Sequence, residues 1–193
     1  MASNLMFDRK KFFDGYRTKY GKLNQSQVVG LSALLDGIEQ DSDISDARWV
    51  AYMLATVKHE CADQYHPIPE FRAKAGSKGR ANQDRYWLTG YYGRGYVQLT
   101  WDYNYKNVGK GLGMGDDLFK NPALALDPSI AYKVMSFGMR NGTFTTKKLA
   151  DYISGEKCDY INARRIINGT NKASLIAGYA ADFEKIASKS QTA

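Results

Sequence analysis

Cysteine, proline and long apolar runs are all scarce in this chain, and each scarcity removes a class of protein. Two cysteines, Cys61 and Cys158, are too few for a disulfide-stapled secreted scaffold, and free, buried thiols are the simpler expectation. Four prolines and no low-complexity stretch argue against long disordered segments. No run approaches the length of a membrane span, so stable membrane insertion is not expected. The start, Met1 to Phe7 followed by Asp8-Arg9-Lys10-Lys11, lacks the apolar segment of a secretory signal, which predicts accumulation in the cytoplasm of the producing cell. His59, Cys61, Asp63 and His66 cluster, yet His59-Glu60-Cys61-Ala62-Asp63 lacks the second histidine of a zinc-peptidase helix, and neither metal nor other cofactor is expected.

What is present is enough for one core. The 193 residues are 44% hydrophobic and 13% aromatic and show no internal repeat, which predicts a single domain over 1–193 with no separate binding module and a monomeric chain. Apolar spacing predicts helices over 7–20, stopped by Gly21, and over 26–39, capped by Ser26. A third begins at Asp43 or Ser45 and ends near Ala62, and another covers Trp101 to Val108. Asp127-Pro128 starts a core helix that runs to Asn141-Gly142. Further helices open at Thr145 or Thr146, stopped by Gly155, run from Cys158 to Ile167, and follow Asn171. Residues 63–90, without period and rich in Gly, Lys and Arg, read as a long functional loop. The fold class is therefore mainly α, two-lobed around a central cleft, with at most a small β excursion near Tyr91–Leu99.

The stretch from Trp49 to Tyr105 organises the rest. At about 100° per residue, Trp49, Met53, Thr56 and Glu60 share a stripe beside Val50, Leu54 and Val57. Thr56 can sit there by bonding back to the carbonyl of Tyr52. Glu60 ends this apolar face, where loss of water disfavours its ionised form and suits a general acid; a core Arg or Tyr satisfying it is the competing expectation. Pro67 and Pro69 stop the helix and place a second carboxylate, Glu70, on a loop able to face Glu60. Gly93 and Gly95 bracket Arg94 and permit a tight path near a ligand. Tyr96 to Thr100 alternates like a short extended segment, with Gln98 and Thr100 on one face and Val97 and Leu99 on the other. Amide, hydroxyl and tyrosine groups on one surface suit a sugar chain.

His59-Glu60, Tyr92-Gly93-Arg94-Gly95-Tyr96-Val97-Gln98-Leu99-Thr100, Asn104-Tyr105, the run Asn121 to Pro128 and Arg165-Ile166-Ile167-Asn168-Gly169 together resemble glycoside hydrolase family 19, the chitinase and phage-endolysin family. The resemblance covers roughly residues 45–170. It implies a lysozyme-like helical fold, Glu60 as general acid, Glu70 as general base and Thr100 as holder of the attacking water. Gln98, Asn104 and Asn168 would bind sugar, with His59, Tyr92 and Arg94 as further substrate contacts. In inverting enzymes the two carboxyl groups stand about 6.5–9.5 Å apart to admit that water. The chain departs from the family pattern at Cys61-Ala62-Asp63, and plant members carry their second Glu near the position of Asn82-Gln83-Asp84, so Asp84 is the reserve candidate for the base.

The net charge of +7 is unevenly placed. Arg72, Lys74, Lys78, Arg80, Arg85 and Arg94 face only Asp84 between 71 and 95, a local surplus of five. A cationic rim attracts anionic polymers, which favours peptidoglycan strands over neutral chitin and predicts an endolysin that cleaves the β-1,4 glycan backbone. Such a protein needs a separate agent, such as a holin, to leave the cytoplasm of the infected host and reach the wall at lysis. A chitinase is the close rival. Arg94 between glycines and tyrosines also resembles a single-stranded nucleic-acid platform, and a carbohydrate-binding protein without catalysis is a third possibility. Two carboxylates with a water-holding hydroxyl favour the enzyme, with no nucleic acid as partner.

Overall fold

The computed structural model describes residues 5–192, so the signal-segment reading at Met1 to Asn4 lies outside the described residues. Helix α1 (Arg9–Tyr20) starts because the Asp8 carboxylate accepts from the Lys11 N–H at 2.9 Å, and it stops at Gly21, whose φ of 87° few other residues adopt. Phe7, expected inside it, instead bridges to Gln191. Helix α2 (Gln25–Gln40) is capped by Asn24 rather than Ser26: the Asn24 side chain accepts from Gln27 N–H while the Gln27 side chain accepts from Asn24 N–H. Helix α3 (Ala47–Glu60) is capped by Asp46, not Asp43 or Ser45, and its residues from Val50 to Lys58 are all buried. The back-bond from Thr56 to the Tyr52 carbonyl forms at 2.9 Å.

The expected loop over 63–90 contains structure of its own. Strand β1 (Ile68–Pro69), helix α4 (Lys78–Asp84, capped by Ser77) and a 3₁₀ turn (Trp87–Thr89) divide it. Strand β2 (Arg94–Gly95) pairs antiparallel with β1, Ile68 opposite Gly95 and Pro69 opposite Arg94. Beyond it the extended segment expected over 96–100 is a tight turn. Arg94 and Leu99 exchange backbone hydrogen bonds at 3.2 and 2.9 Å, and Gln98 takes a left-handed φ of 56°. Val97 and Leu99 are buried while Gln98 and Thr100 are half-buried, so the expected faces hold although the backbone does not.

Helices α5 (Asp102–Gly111) and α6 (Asp117–Lys120) and a 3₁₀ turn (Pro122–Leu126) lead to α7 (Pro128–Asn141). Asp127 caps α7 at the Ile130 N–H and Gly142 ends it at φ 71°. Helix α8 (Leu149–Tyr152) is followed by a second small hairpin, β3 (Ile153–Ser154) with β4 (Lys157–Cys158), where the sequence led us to expect helices and only one β excursion. Helix α9 (Tyr160–Ala163) continues into a 3₁₀ turn (Arg164–Ile166), and α10 (Ala173–Ser190) follows Lys172 rather than a cap at Asn171.

Helix α3 packs most extensively on α10, which also meets α1 and α9. A second set joins α5, α6 and α7, with β2 resting on the Pro122–Leu126 turn and α2 on α7. One hydrophobic core runs through both, including the fully buried rings of Tyr52, Tyr65, Tyr96 and Tyr105. No helix among the described residues is long and apolar enough to cross a membrane.

Candidate active site

Glu60 is the last residue of α3 and keeps 18% of its side chain exposed. It is not left among apolar walls. The buried guanidinium of Arg164 donates to its Oε1 at 2.6 Å and to the Asn171 carbonyl at 3.1 Å. The apolar-only surroundings expected from the sequence are therefore corrected: a positive charge meets the carboxylate, and Arg164 is a site residue that helical periodicity could not show. Its one sequence signal was position, directly before the quoted Arg165 to Gly169 string.

The chain turns sharply after Glu60. Ala62, Asp63 and Tyr65 all take left-handed φ values, 48°, 64° and 58°, each costing about 1–2 kcal/mol for a residue with a Cβ. Tertiary contacts hold the turn. Lys58, buried, pairs with Asp63 at 2.7 Å and lies 4.1 Å from the centre of the Tyr20 ring. Tyr65 shares a 2.8 Å hydroxyl contact with Tyr16, and Gly30 packs so close to the Tyr65 carbonyl that a side chain there would collide. Cys61 is buried with its thiol aimed at the Tyr96 carbonyl, 3.8 Å away, and burial, aided by the charge of Glu60, pushes it up to about 12. Cys158 is exposed, against the expectation of two buried thiols. Titration of the native protein with an aromatic disulfide near pH 8 should accordingly modify one thiol, with the second reacting only in denaturant. Two fast-reacting thiols would contradict the packing of Cys61.

Glu70 follows β1 and is held by three donors. Gln83 Nε2 and Tyr86 Oη donate to its Oε1 at 2.9 and 2.7 Å, and Gly93 N–H donates to Oε2 at 2.9 Å. Burial and then the Glu70 contact raise the Tyr86 phenol well above its usual range, so it remains a donor. Asp84, the reserve candidate, is exposed on α4 and paired with Arg72 and Arg80. Glycine at 93 leaves room for the site, because a Cβ would lie 2.8 Å from Gln98 Oε1 and 3.2 Å from Glu70 Oε2 and would push both side chains aside. Gln83 and Tyr86 are two more residues the sequence reading missed.

The turn between Arg94 and Leu99 touches the segments of both carboxylates. Tyr96 in this turn receives Cys61, the neighbour of Glu60, while Gly93 binds Glu70 and Gln98 Nε2 donates to the Ile68 carbonyl at 2.9 Å. Gln98 also reaches the Gly95 carbonyl at 3.2 Å, so its amide N–H is used inside the protein. Thr100 Oγ1 donates to the Gln98 carbonyl at 2.8 Å, which leaves its lone pairs free to accept from a water. Asn104 Nδ2 donates to the Thr100 carbonyl at 2.8 Å. His59 is half-buried beside Glu60, and Asn168, exposed, donates its N–H to the Arg164 carbonyl at 3.0 Å.

Arg94 does not face a ligand. It is buried and its Nη1 meets the Gly90 and Tyr92 carbonyls and the Tyr105 hydroxyl at 2.9, 3.1 and 3.1 Å. Its guanidinium lies 3.8 Å from the Tyr92 ring centre, Tyr92 stacks on Trp87 at 4.5 Å, and Arg72 covers Trp87 at 4.4 Å. This stack occupies the Tyr92 ring and removes Arg94 as the cation of a nucleic-acid platform. Arg94→Met is expected to cost about 2–4 kcal/mol of stability, because buried acceptors lose their donor. Chemical denaturation checks this; a raised KM with unchanged stability would restore Arg94 to substrate binding.

The residues grouped as a possible zinc set are engaged separately: Asp63 with Lys58, His66 with Ser26 and Cys61 with Tyr96. Among the described residues no three His, Cys, Asp or Glu side chains gather as metal ligands. Two surface cavities, of about 700 and 420 Å³, lie between α2 and α7 and along α1 and α10, and neither is lined by Glu60, Glu70 or Thr100.

Comparison with solved structures identifies the architecture. Chitinase C from Streptomyces griseus HUT6037 superposes with a TM-score of 0.57 at 21% identity, over 97% of this chain and 78% of that one. A class IV chitinase from Zea mays gives 0.52 at 21% identity, over 92% and 90%. The fold is the lysozyme-like helical fold of these chitinases. The family model for glycoside hydrolase 19, described as chitinase class I, matches residues 69–154, a segment that holds Glu70, Gln98, Thr100 and Asn104 but not Glu60, Arg164 or Asn168. The resemblance to glycoside hydrolase family 19 is thereby shown on that segment. The acidic endochitinase pcht28 of Solanum chilense is 52% identical over 44 residues, 22% of this chain and 17% of that protein. The inactive chitinase-like protein 1 of Hevea brasiliensis is 40% identical over 67 residues, 34% of this chain and 21% of that protein. The chain thus matches only a small part of these relatives' length.

Proposed function

We propose that this chain is a glycoside hydrolase that cuts the β-1,4 glycan backbone of bacterial peptidoglycan with inversion, in the manner of an endolysin. The observation that carries the reading is the Glu70 carboxylate, held in place by donors from Gln83, Tyr86 and Gly93 as a positioned general base must be. In this mechanism Thr100 accepts one hydrogen of the attacking water and Glu70 takes the proton that leaves it. Glu60 gives its proton to the departing glycosidic oxygen. Arg164 occupies Oε1 of Glu60, leaves Oε2 for the leaving group, and steadies the carboxylate that remains after transfer.

Exposed Lys74, Lys78 and Arg85 near Glu70 support an anionic polymer as substrate, although the cationic rim is thinner than composition suggested: Arg94 is buried and Arg72 and Arg80 share Asp84. From the cytoplasm the protein would reach the wall through a separate permeabilising agent such as a holin. Cleavage of chitin is the second reading, favoured by the endochitinase names of the relatives. Purified sacculi and chitin oligomers, digested in parallel and analysed by mass, separate the two. Sugar fragments with new reducing ends are expected from sacculi; oligomers from chitin with intact sacculi would establish the second reading. A chain that binds sacculi and releases nothing would be a lectin-like relative.

A further inference from the structure

The surface between 71 and 88 carries two apolar tips that neither the core nor the catalytic groups use. Leu88, on the Trp87–Thr89 turn, is 92% exposed, and Phe71, next to Glu70, is 77% exposed. They flank a rigid support. Arg72 lies over the Trp87 ring, Trp87 stacks on Tyr92, and buried Gln83 accepts from Ala73 N–H at 2.7 Å while donating to the Phe71 carbonyl at 2.8 Å. In the same segment Lys74, Lys78 and Arg85 are exposed and carry no ion pair among the described residues, Arg85 lying 5.7 Å from the Trp101 ring centre. Large apolar side chains held out into water beside uncompensated cations match the composition of surfaces that dock in the headgroup region of a membrane.

We propose that this surface docks the protein peripherally on an anionic lipid bilayer, with Leu88 and Phe71 entering the headgroup boundary and Lys74, Lys78 and Arg85 meeting lipid phosphates. A glycan could use the cations and could stack on Phe71, but it has no partner for the aliphatic tip of Leu88, and that residue favours lipid. The lipid reading draws on the same three cations that an anionic glycan would meet, but its test is separate from the catalytic reading, because binding to vesicles needs no turnover.

Sedimentation of the whole chain with vesicles provides the test. The protein should pellet with phosphatidylcholine vesicles containing phosphatidylglycerol and stay in solution with phosphatidylcholine alone. Leu88→Ser should weaken partitioning about 5-fold or more, and Lys74→Ala with Lys78→Ala about 25-fold at low salt. Because Leu88 is exposed, Leu88→Ser should keep the thermal midpoint and the hydrolysis of solubilised glycan. Failure of the wild type to bind anionic vesicles overturns the proposal, as does unchanged binding by Leu88→Ser. Variants that lose affinity for sacculi while vesicle binding is unaltered would make the surface a polysaccharide site and overturn it too.

Discussion

Glu60→Gln is expected to lower turnover by about 10³-fold or more while the chain still folds, since the amide cannot deliver the proton that the leaving oxygen needs. The structure adds an energetic consequence. Arg164 is buried and donates to Glu60 Oε1 at 2.6 Å, so the substitution removes the anion that this guanidinium steadies after proton transfer. Gln still offers an oxygen to Arg164, which limits the loss of stability to about 1–3 kcal/mol. Adding Arg164→Met should recover part of that stability and none of the activity. Thermal unfolding and hydrolysis of a soluble glycan, measured on the single and double variants, separate the catalytic from the structural part. Near-normal turnover by Glu60→Gln would remove Glu60 from the chemistry.

Glu70→Gln is expected to be almost as severe, with a loss of about 10²–10⁴-fold. The carboxylate receives donors on both oxygens, two at Oε1 and one at Oε2. An amide must point its NH₂ at one set of them, opposing either the Gly93 N–H or the Gln83 and Tyr86 donors. Loss of the base is therefore joined by distortion of the Gly93 segment. Asp84→Asn should leave turnover near normal, because Asp84 is exposed and its pairs with Arg72 and Arg80 contribute little. Side-by-side rates decide between them: an inactive Asp84→Asn with an active Glu70→Gln would move the base to α4.

Where local chemistry decides, the sequence was readable. Asp127-Pro128 and Gly142 delimit α7 as expected, because a capping carboxylate and a left-handed glycine act within one turn. Thr56 bonds Tyr52 for the same reason. The cap of α2 is the exception: Ser26 was expected, and the reciprocal bond between Asn24 and Gln27 makes Asn24 the cap. Structure within 63–90 was not legible, since α4 is seven residues long and buries only Gln83, leaving no apolar period to see. Tyr96 to Thr100 reads as extended because the alternation of Val97 and Leu99 with Gln98 and Thr100 constrains side-chain faces and says nothing about the sign of φ at Gln98. Arg164 and Arg94 show the deeper limit. Glu60 and its partner lie 104 positions apart, and no local pattern indicates that one arginine pairs with a carboxylate while another spends its donors on Gly90, Tyr92 and Tyr105.

The stereochemistry of the first product tests the pairing of Glu60 with Glu70 most directly. Proton NMR of a soluble β-1,4-linked glycan, followed from the moment the protein is added, reports the anomer formed before mutarotation mixes the two. Water activated by Glu70 on the face opposite the leaving group must give the α-anomer first. Initial appearance of the β-anomer would mean a covalent or otherwise retaining route, and the two carboxylates could not hold the roles assigned to them.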